Sequence, residues 1–144
     1  MCAVPSTSPE TSQRMRRIRT RDTQAEVNLR SCVHRLGLRY RIDARPVPEL
    51  NRRADLVLKA SRVAVFVDGC FWHACPVHGA TPKSNAKWWA EKLAKNRSRD
   101  RQTDRALRKA GWGVVRVWEH EEPHRAAARV YSVVRRRLEL QAQN

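Results

Sequence analysis

The run from Val63 to Val67 constrains the fold of this chain more than any other segment, because it is apolar at every position. A strand with one face in water alternates apolar and polar residues, whereas a strand covered on both faces is apolar throughout. The run is also far shorter than the roughly 20 residues that a membrane-spanning helix needs. It therefore predicts the central strand of a sheet that other elements cover on both faces.

Helix and strand signals around this run predict an α/β domain. Thr23 and Glu26 form a capping-box pattern at the start of a helix that Gly37 ends, and Pro123 suits the first turn of a last helix. Alternating or apolar segments predict strands near 38–42, 54–58, 63–67 and 113–118, and a long helix over 84–110 with Ser84 as its cap. The predicted order is α-β-β-β-α-β-α.

The long helix carries polar residues on the stripe that should be buried. Asn96, Asp100 and Thr103 share this stripe with Trp89. The pattern predicts one of two things: a break in the helix near Ser98, or contact between these side chains and something polar.

Composition and charge limit the class of protein. With 144 residues, of which 41% are apolar, the chain suits one domain, predicted over residues 15–144 after a flexible tail over residues 1–14. The net charge of +16 creates a field that attracts polyanions, so nucleic acid is the expected partner. The sequence begins without a secretory signal, and we expect a cytoplasmic monomer that does not bind membranes.

A cluster of metal-ligand residue types predicts a structural zinc site. Cys70, Cys75 and His78 lie within nine residues, a spacing that lets one loop wrap around an ion. A structural zinc site has four ligands, and the fourth is predicted to be His120, with His124 as its competitor. The alternative interpretation is a buried thiol pair with incidental histidines.

Acidic residues in the strands predict a second metal site. Asp55 interrupts an otherwise apolar strand, and Asp68 ends the next strand a few residues before His73. A buried carboxylate is costly unless it is paired or binds a cation. The alternative without a functional role is a salt bridge between Asp55 and an arginine. However, two strands that bring carboxylates and a histidine to the same end of the sheet favour a Mg²⁺ site with a base, as phosphodiester hydrolysis requires. Glu26 is interpreted either as a capping-box partner or as a catalytic group.

Two aromatic pairs stand among basic residues: Phe71-Trp72 and Trp88-Trp89. Core packing is the default for each aromatic. Phe71-Trp72, however, lies inside the predicted zinc loop, where exposed rings could wedge between base steps and kink a duplex.

Longer motifs connect these residues into a family signature. The residues that carry it are Thr20-Arg21-Asp22-Thr23-Gln24-Ala25-Glu26, Gly69-Cys70-Phe71-Trp72-His73, Trp88-Trp89, Lys92, Asn96, Arg99-Asp100, Gly111-Trp112 and Val117-Trp118-Glu119. Over roughly residues 12–122 the sequence resembles the very-short-patch-repair (Vsr) DNA mismatch endonucleases. The resemblance implies a restriction-endonuclease-like core of αβββαβ order, here with an added C-terminal helix, and a structural zinc.

The resemblance also implies an activity and partners. Members of the family nick one strand of duplex DNA 5′ to the thymine of a T·G mismatch that arises from deaminated 5-methylcytosine, with Mg²⁺ as the catalytic ion. The expected partner is therefore double-stranded DNA with a T·G mismatch, with a functional link to a cytosine-5 DNA methyltransferase and to mismatch-repair proteins.

Carried over position by position, the resemblance assigns roles to individual residues. Asp55 is the expected Mg²⁺ ligand with the main-chain carbonyl of Val67, His73 is the expected catalytic histidine, and Glu26 takes the place of the active-site glutamate. The expected DNA contacts are Phe71, Trp72, Trp89, Lys92, Asn96 and Arg99, of which the three aromatics intercalate.

The sequence departs from the family at Asp68, where some members have a histidine; Asp68 is expected to help hold metal or orient water. The zinc set Cys70, Cys75, His78 and His120 departs from the family's three cysteines and one histidine.

Two other functions remain open at the level of sequence. One is a nuclease of this kind used in restriction or phage defence. The other is a zinc-stabilised DNA-binding module without catalysis, which leaves Asp55 and His73 unexplained.

The zinc interpretation predicts one zinc ion per folded chain, because a loop of this length has little apolar core of its own and needs a metal to hold it. Elemental analysis of the purified protein measures this directly. His120→Ala should lower the melting temperature; if His124→Ala lowers it instead, His124 is the fourth ligand. Folded protein without zinc would contradict the assignment.

Overall fold

The computed structural model describes residues 23–69 and 85–143. Its elements in chain order are α1 (Gln24–Arg35), β1 (Arg41–Ala44), β2 (Ala54–Leu58), β3 (Val63–Asp68), α2 (Ala86–Lys109), β4 (Gly113–Trp118) and α3 (Pro123–Ala142). This order confirms the α-β-β-β-α-β-α prediction. None of the helices within the described ranges is long and apolar enough to cross a membrane.

The strands form one sheet in the order β1-β2-β3-β4. β1 pairs with β2 and β2 with β3 in antiparallel fashion, with Ile42 opposite Leu56 and Leu56 opposite Val65. β3 and β4 are parallel over their full lengths, from Val63 opposite Gly113 to Asp68 opposite Trp118. β3 is therefore an inner strand, as its apolar sequence predicted.

Helices cover both faces of this sheet. On one face α1 and α3 pack together over a core of buried residues, namely Leu29, Cys32, Val33, Leu56, Leu58, Val63, Val65, Val115, Val117, Ala126, Ala127, Val130 and Val134. On the other face α2 packs against β4 over a second core of Ala54, Val57, Ala64, Phe66, Leu107 and Trp112. Alternate residues of β3 thus enter different cores, which is why no polar residue interrupts the strand before Asp68.

Local signals set the ends of the helices. The Thr23 hydroxyl accepts a hydrogen bond from the backbone N–H of Glu26 at 3.3 Å, which caps α1. Gly37 follows α1 with a φ of +82°, a left-handed conformation that glycine adopts without a Cβ penalty. Pro123 stands in the first turn of α3, and the Glu122 carboxylate accepts hydrogen bonds from two backbone N–H groups of that turn.

Strand β1 is shorter than predicted. The alternation of Leu38, Tyr40 and Ile42 predicted a strand over 38–42, but the strand begins at Arg41. Leu38 and Tyr40 instead pack against the first core, and the Tyr40 hydroxyl donates a hydrogen bond to the Arg30 carbonyl of α1 at 2.9 Å. These residues join α1 to the sheet rather than extend the sheet.

The polar residues of α2 contact polar groups, and the helix does not break at Ser98. The Thr103 hydroxyl donates a hydrogen bond to the Arg99 carbonyl at 2.9 Å, which satisfies a hydroxyl that is otherwise buried. Asp100 faces Arg116 of β4. The second of the two predictions for this stripe is therefore confirmed.

The start of α2 differs from the prediction. The helix begins at Ala86 after Asn85, which has a left-handed φ of 56° and makes no capping hydrogen bond with its side chain. The predicted cap Ser84 and the predicted tail over residues 1–14 lie outside the described residues.

Candidate active site

A cleft opens beside the N-terminal half of α1, where β1, β2 and β3 meet. Its lining residues are Glu26, Leu29, Arg30, Ile42, Asp43, Asp55, Leu56 and Val67. Helix α1 supplies Glu26 and Arg30 one turn apart, which places both on the same face of the helix. Three of the lining residues are acidic, in a chain with a large excess of basic residues.

Asp55 lies at the centre of this arrangement. Its Oδ2 accepts a hydrogen bond from the backbone N–H of Val67 at 2.6 Å. The paired residues of β2 and β3 run from Leu58 opposite Val63 to Leu56 opposite Val65. Beyond that point the side chain of Asp55 links the two strands, so the carboxylate is fixed against the backbone of Val67.

Burial raises the pKa of the Asp55 carboxyl group to about 7, from an ordinary value of 3.8. The hydrogen bond from Val67 acts in the opposite direction, and the negative charges of Glu26, Asp68 and Asp43 raise the pKa further. The fold therefore holds Asp55 in an environment that disfavours its charged form. A cation bound there would reverse this preference.

Glu26 combines the two roles considered from the sequence. Its backbone N–H donates a hydrogen bond to the Thr23 hydroxyl, which is one of the two hydrogen bonds of a capping box. Its carboxyl group lines the cleft and is among the charges that raise the pKa of Asp55. The local helix signal and the placement of an acidic group in the cleft are therefore compatible.

The donor set of the cleft fits Mg²⁺ better than a softer ion. Carboxylate and main-chain oxygens are hard ligands, and Mg²⁺ in phosphoryl sites keeps several waters while it binds one or two carboxylates and a substrate phosphate. Among the described residues, no group of three or more His, Cys, Asp or Glu could hold a metal ion. This cleft offers a site with few protein ligands, namely the Asp55 carboxylate and the neighbouring backbone of Val67.

Asp68 is directed away from the cleft. It follows Ala64 and Phe66 on the alternating face of β3 that belongs to the second core, and its side chain is buried. Its Oδ1 accepts a hydrogen bond from Arg116 at 2.9 Å. For Asp55, the sequence left open a salt bridge with an arginine. In the structure it is Asp68 that forms such a salt bridge.

Arg116 is the residue that the sequence interpretation missed. It stands in β4, and its guanidinium donates hydrogen bonds to Asp68 and Asp104 and lies 3.7 Å from an Asp100 oxygen. It also stacks over the Phe66 ring at 4.4 Å. The available signal was an arginine at the centre of the apolar strand Gly113–Trp118, which requires acidic partners when it is buried between elements.

The zinc prediction falls largely outside the described residues, which exclude Cys70, Cys75 and His78. The two competing fourth ligands are both described and exposed. The His120 ring stacks on Trp118 with centroids 6.4 Å apart. The Nδ1 of His124 lies 3.6 Å from the buried Sγ of Cys32, so that His124 contacts a cysteine outside the predicted zinc set. The zinc set remains a prediction.

Of the predicted DNA contacts, Phe71 and Trp72 lie outside the described residues, as does the predicted catalytic His73. Lys92 and Asn96 are half-buried and Arg99 is exposed, and their spacing places them on one side of α2.

Trp89 departs from the expected intercalating role, because only 2% of it is exposed. It shares the inward face of α2 with the buried Leu93 and Leu107. Its neighbour Trp88 packs edge-on against it, with ring centroids 4.7 Å apart. In this conformation Trp89 is a core residue, as an aromatic at helical spacing with buried leucines would be by default.

Comparisons with known proteins agree on one family. The family model described as DNA mismatch endonuclease Vsr matches residues 6–78 of this chain. The type II nicking enzyme V.NaeI of Lentzea aerocolonigenes is 46% identical over 121 residues, which are 83% of this chain and 73% of that protein. The DNA mismatch endonuclease Vsr of Escherichia coli (strain K12) is 38% identical over 110 residues, 75% of this chain and 68% of that protein. The type II nicking enzyme V.XorIIP of Xanthomonas oryzae pv. oryzae is 37% identical and matches 74% of this chain and 77% of its own length.

A four-stranded α/β sheet with an acidic cleft beside its antiparallel half, together with these relatives, defines the class of this protein as a DNA endonuclease. Within that class the chain belongs to the Vsr family. The resemblance seen in the sequence motifs is thereby confirmed.

The raised pKa of Asp55 predicts how the stability of metal-free protein depends on pH. The folded state holds the Asp55 proton more tightly than the unfolded state, so the stability contributed by this group is present below about pH 4 and is lost as pH rises through about 7. Asp55→Asn removes the ionisation and should be roughly 2–4 kcal/mol more stable than wild type at alkaline pH in EDTA. Denaturant unfolding at several pH values measures this.

Glu49→Gln is the matched control for this measurement, since it removes an exposed carboxylate from the connection between β1 and β2. Its pH dependence should follow that of wild type. An Asp55→Asn variant with the same pH dependence as wild type would show that Asp55 is not buried as described.

The contacts of Arg116 predict that Arg116→Met destabilises the fold, because three acidic residues, Asp68, Asp100 and Asp104, lose their shared cation. Removal of one partner from a largely buried ionic network costs about 3 kcal/mol. Arg125→Met removes an exposed arginine and should change the free energy of unfolding by about 0.5 kcal/mol or less. Equal unfolding free energies for the two variants would contradict the described network.

Proposed function

We propose that this protein is a Mg²⁺-dependent, strand-specific nicking endonuclease that cuts duplex DNA 5′ to the thymine of a T·G mismatch, in very short patch repair. The observation that carries the proposal is the cleft in which Asp55, with its raised pKa, lies against the backbone of Val67 and near Glu26. Perturbed carboxyl groups in a cleft are typical of catalytic sites. A relative named as a DNA mismatch endonuclease and others named as nicking enzymes support the same activity.

Asp55 and the main-chain carbonyl of Val67 would hold Mg²⁺ in this cleft. When bound, the ion would polarise the scissile phosphate and stabilise the leaving oxygen. A cation held there would favour the charged form of Asp55, because it would offset the burial and the neighbouring negative charges that disfavour the carboxylate. The Val67 N–H keeps the Asp55 side chain in one orientation, so its free oxygen faces a fixed direction.

His73 and Glu26 would handle the attacking water. His73 would accept a proton from the water, which is the role of a general base. Glu26, which lines the cleft, would orient either that water or the imidazole. Asp68 is bonded to Arg116 and takes no direct part in this scheme.

Selectivity for the mismatch would come from deformation of the duplex. Phe71 and Trp72 insert between base steps, which costs least where pairing is already weak. Lys92, Asn96 and Arg99 would fix the register on the backbone, and the net charge of +16 supplies the nonspecific attraction. Zinc held by Cys70, Cys75, His78 and His120 would order the loop that carries the aromatic wedge.

A second candidate is a nuclease of the same chemistry used in restriction or phage defence. The relatives that are named type II nicking enzymes favour it. The two candidates differ in substrate, since the repair enzyme requires a mispaired thymine and the defence enzyme cuts fully paired DNA. A DNA-binding module without catalysis fits less well, because it does not account for the buried Asp55.

The test is a nicking assay with T·G and fully paired duplexes of the same sequence, in which each strand is labelled separately. With Mg²⁺ we expect one cut, in the thymine strand of the T·G duplex, and none in EDTA. Equal cutting of the paired duplex would favour the defence function. An absence of cutting with Mg²⁺ on every duplex would contradict both.

Variants of the assigned residues separate catalysis from folding. Asp55→Ala and His73→Ala should lower the nicking rate by about 100-fold or more, since each removes a group that stabilises or activates reacting atoms. Both should still bind the T·G duplex. Cys70→Ala should instead lower the melting temperature and the activity together. Wild-type nicking rates in the Asp55 and His73 variants would refute the active-site assignment.

A further inference from the structure

Helix α2 carries a ridge of arginines that the proposed function does not use. The ridge consists of Arg97, Arg101, Arg105 and Arg108, all of which are exposed. Their spacings of four, four and three residues bring them onto one side of the helix, each about one turn from the next. Glu91 is the only exposed acidic residue of α2, and it precedes the ridge.

This ridge costs stability in the isolated protein. Like charges at i and i+4 on a helix repel each other. The acidic residues interspersed with the ridge, Asp100 and Asp104, are turned inward to Arg116. Of the ion pairs between described residues, none includes an arginine of the ridge. The inward pairing of the acids thus leaves an uncompensated positive surface.

The ridge is distinct from the face of α2 assigned to the cleft-bound DNA. At 3.6 residues per turn, the ridge lies on one flank of the buried Trp89–Leu107 stripe, and Lys92 and Arg99 lie on the other, next to the half-buried Asn96. A straight duplex seated on the Lys92 flank would leave the ridge in solvent. The ridge therefore does not contact a straight duplex that is bound along the Lys92 flank.

We propose that this ridge is a second phosphate-binding surface, which holds a stretch of duplex DNA outside the segment bound at the cleft. The inference rests on the proposed function in one respect, namely that the substrate is duplex DNA. From Arg97 to Arg108 the ridge is about 16 Å long, which is the axial length over which B-DNA carries about ten phosphates. Arginines without an acidic partner among residues 23–69 and 85–143 are suited to such an array.

The flank of the same duplex, bent around the protein, supplies these phosphates, because it is tethered to the segment bound at the cleft and so stays at a high local concentration. A second duplex is the competing source that the test separates. Both supply the same chemistry, and their stoichiometries differ. A flank contributes only when the duplex is long enough to reach the ridge, whereas a second duplex binds a chain that is already occupied.

The test measures DNA affinity against salt for Arg101→Gln/Arg105→Gln, with Arg135→Gln/Arg136→Gln as the matched control. The control removes the same charge from exposed positions on α3, which packs on the other face of the sheet. Binding is measured in EDTA to paired duplexes of about two and four turns, roughly 20 and 40 base pairs. Because no cutting is needed, a failure of the proposed nicking activity would not affect this result.

We expect the slope of log K against log salt to fall by about 1.8 in magnitude for the ridge variant, corresponding to two lost phosphate contacts, and by less than half of that for the control. A loss confined to the longer duplex identifies the flank. A loss of a second bound duplex in titrations of the shorter one would overturn the assignment to the flank. Equal changes in the two double variants, or no change in either, would overturn the proposal. Thermal melts complete the comparison, since the ridge variant should be no less stable than wild type if the arginines repel.

Discussion

The position of β3 between two helical layers is the constraint on which the rest of the structure depends. Alternate residues of this strand enter different cores, so Val63 and Val65 pack under α1 and α3, while Ala64 and Phe66 pack under α2. The same alternation continues to the end of the strand, where it sends consecutive residues to different chemical environments. Val67 packs against the first core and lines the cleft, and Asp68 contacts Arg116 beneath α2. A shift of one residue in register would exchange the two environments.

Asp55 and Arg116 show two ways in which this fold accommodates charge near the sheet. Arg116 is compensated within the protein, because it meets acidic side chains from β3 and α2 and the ring of Phe66. Asp55 accepts a hydrogen bond from the backbone, and the negative charges of Glu26, Asp43 and Asp68 act on it. The ion pairs of Arg116 stabilise the fold, whereas the environment of Asp55 is unfavourable for a carboxylate until a cation binds. Sites of this second kind are where proteins give up stability for function.

Much of the fold could be predicted from the sequence, because the relevant signals are local. The apolar run of β3, the Thr23 cap and Pro123 each depend on a few neighbouring residues and on backbone geometry, and each is found where predicted. The length of β1 could not be predicted, since Leu38 and Tyr40 alternate as in a strand but are held by α1 through the Tyr40 hydroxyl. For the candidate site, Asp55 was identified because a carboxylate in an apolar strand is anomalous by itself. Trp89 was placed among the intercalating residues from its motif, and its burial depends on the packing of α2.

The sequence by itself determined the order of elements, the central strand, the family and the unusual character of Asp55, because periodicity, motif and local composition all act over short distances along the chain. Only the tertiary structure decided which charges meet. Arg116 lies 48 residues from Asp68 in sequence, and Asp55 lies 12 residues from Val67. Whether a carboxylate is neutralised by an arginine or held near other carboxylates depends on which side chains the packed elements bring to it. That choice follows from strand register and helix packing, which no single segment contains.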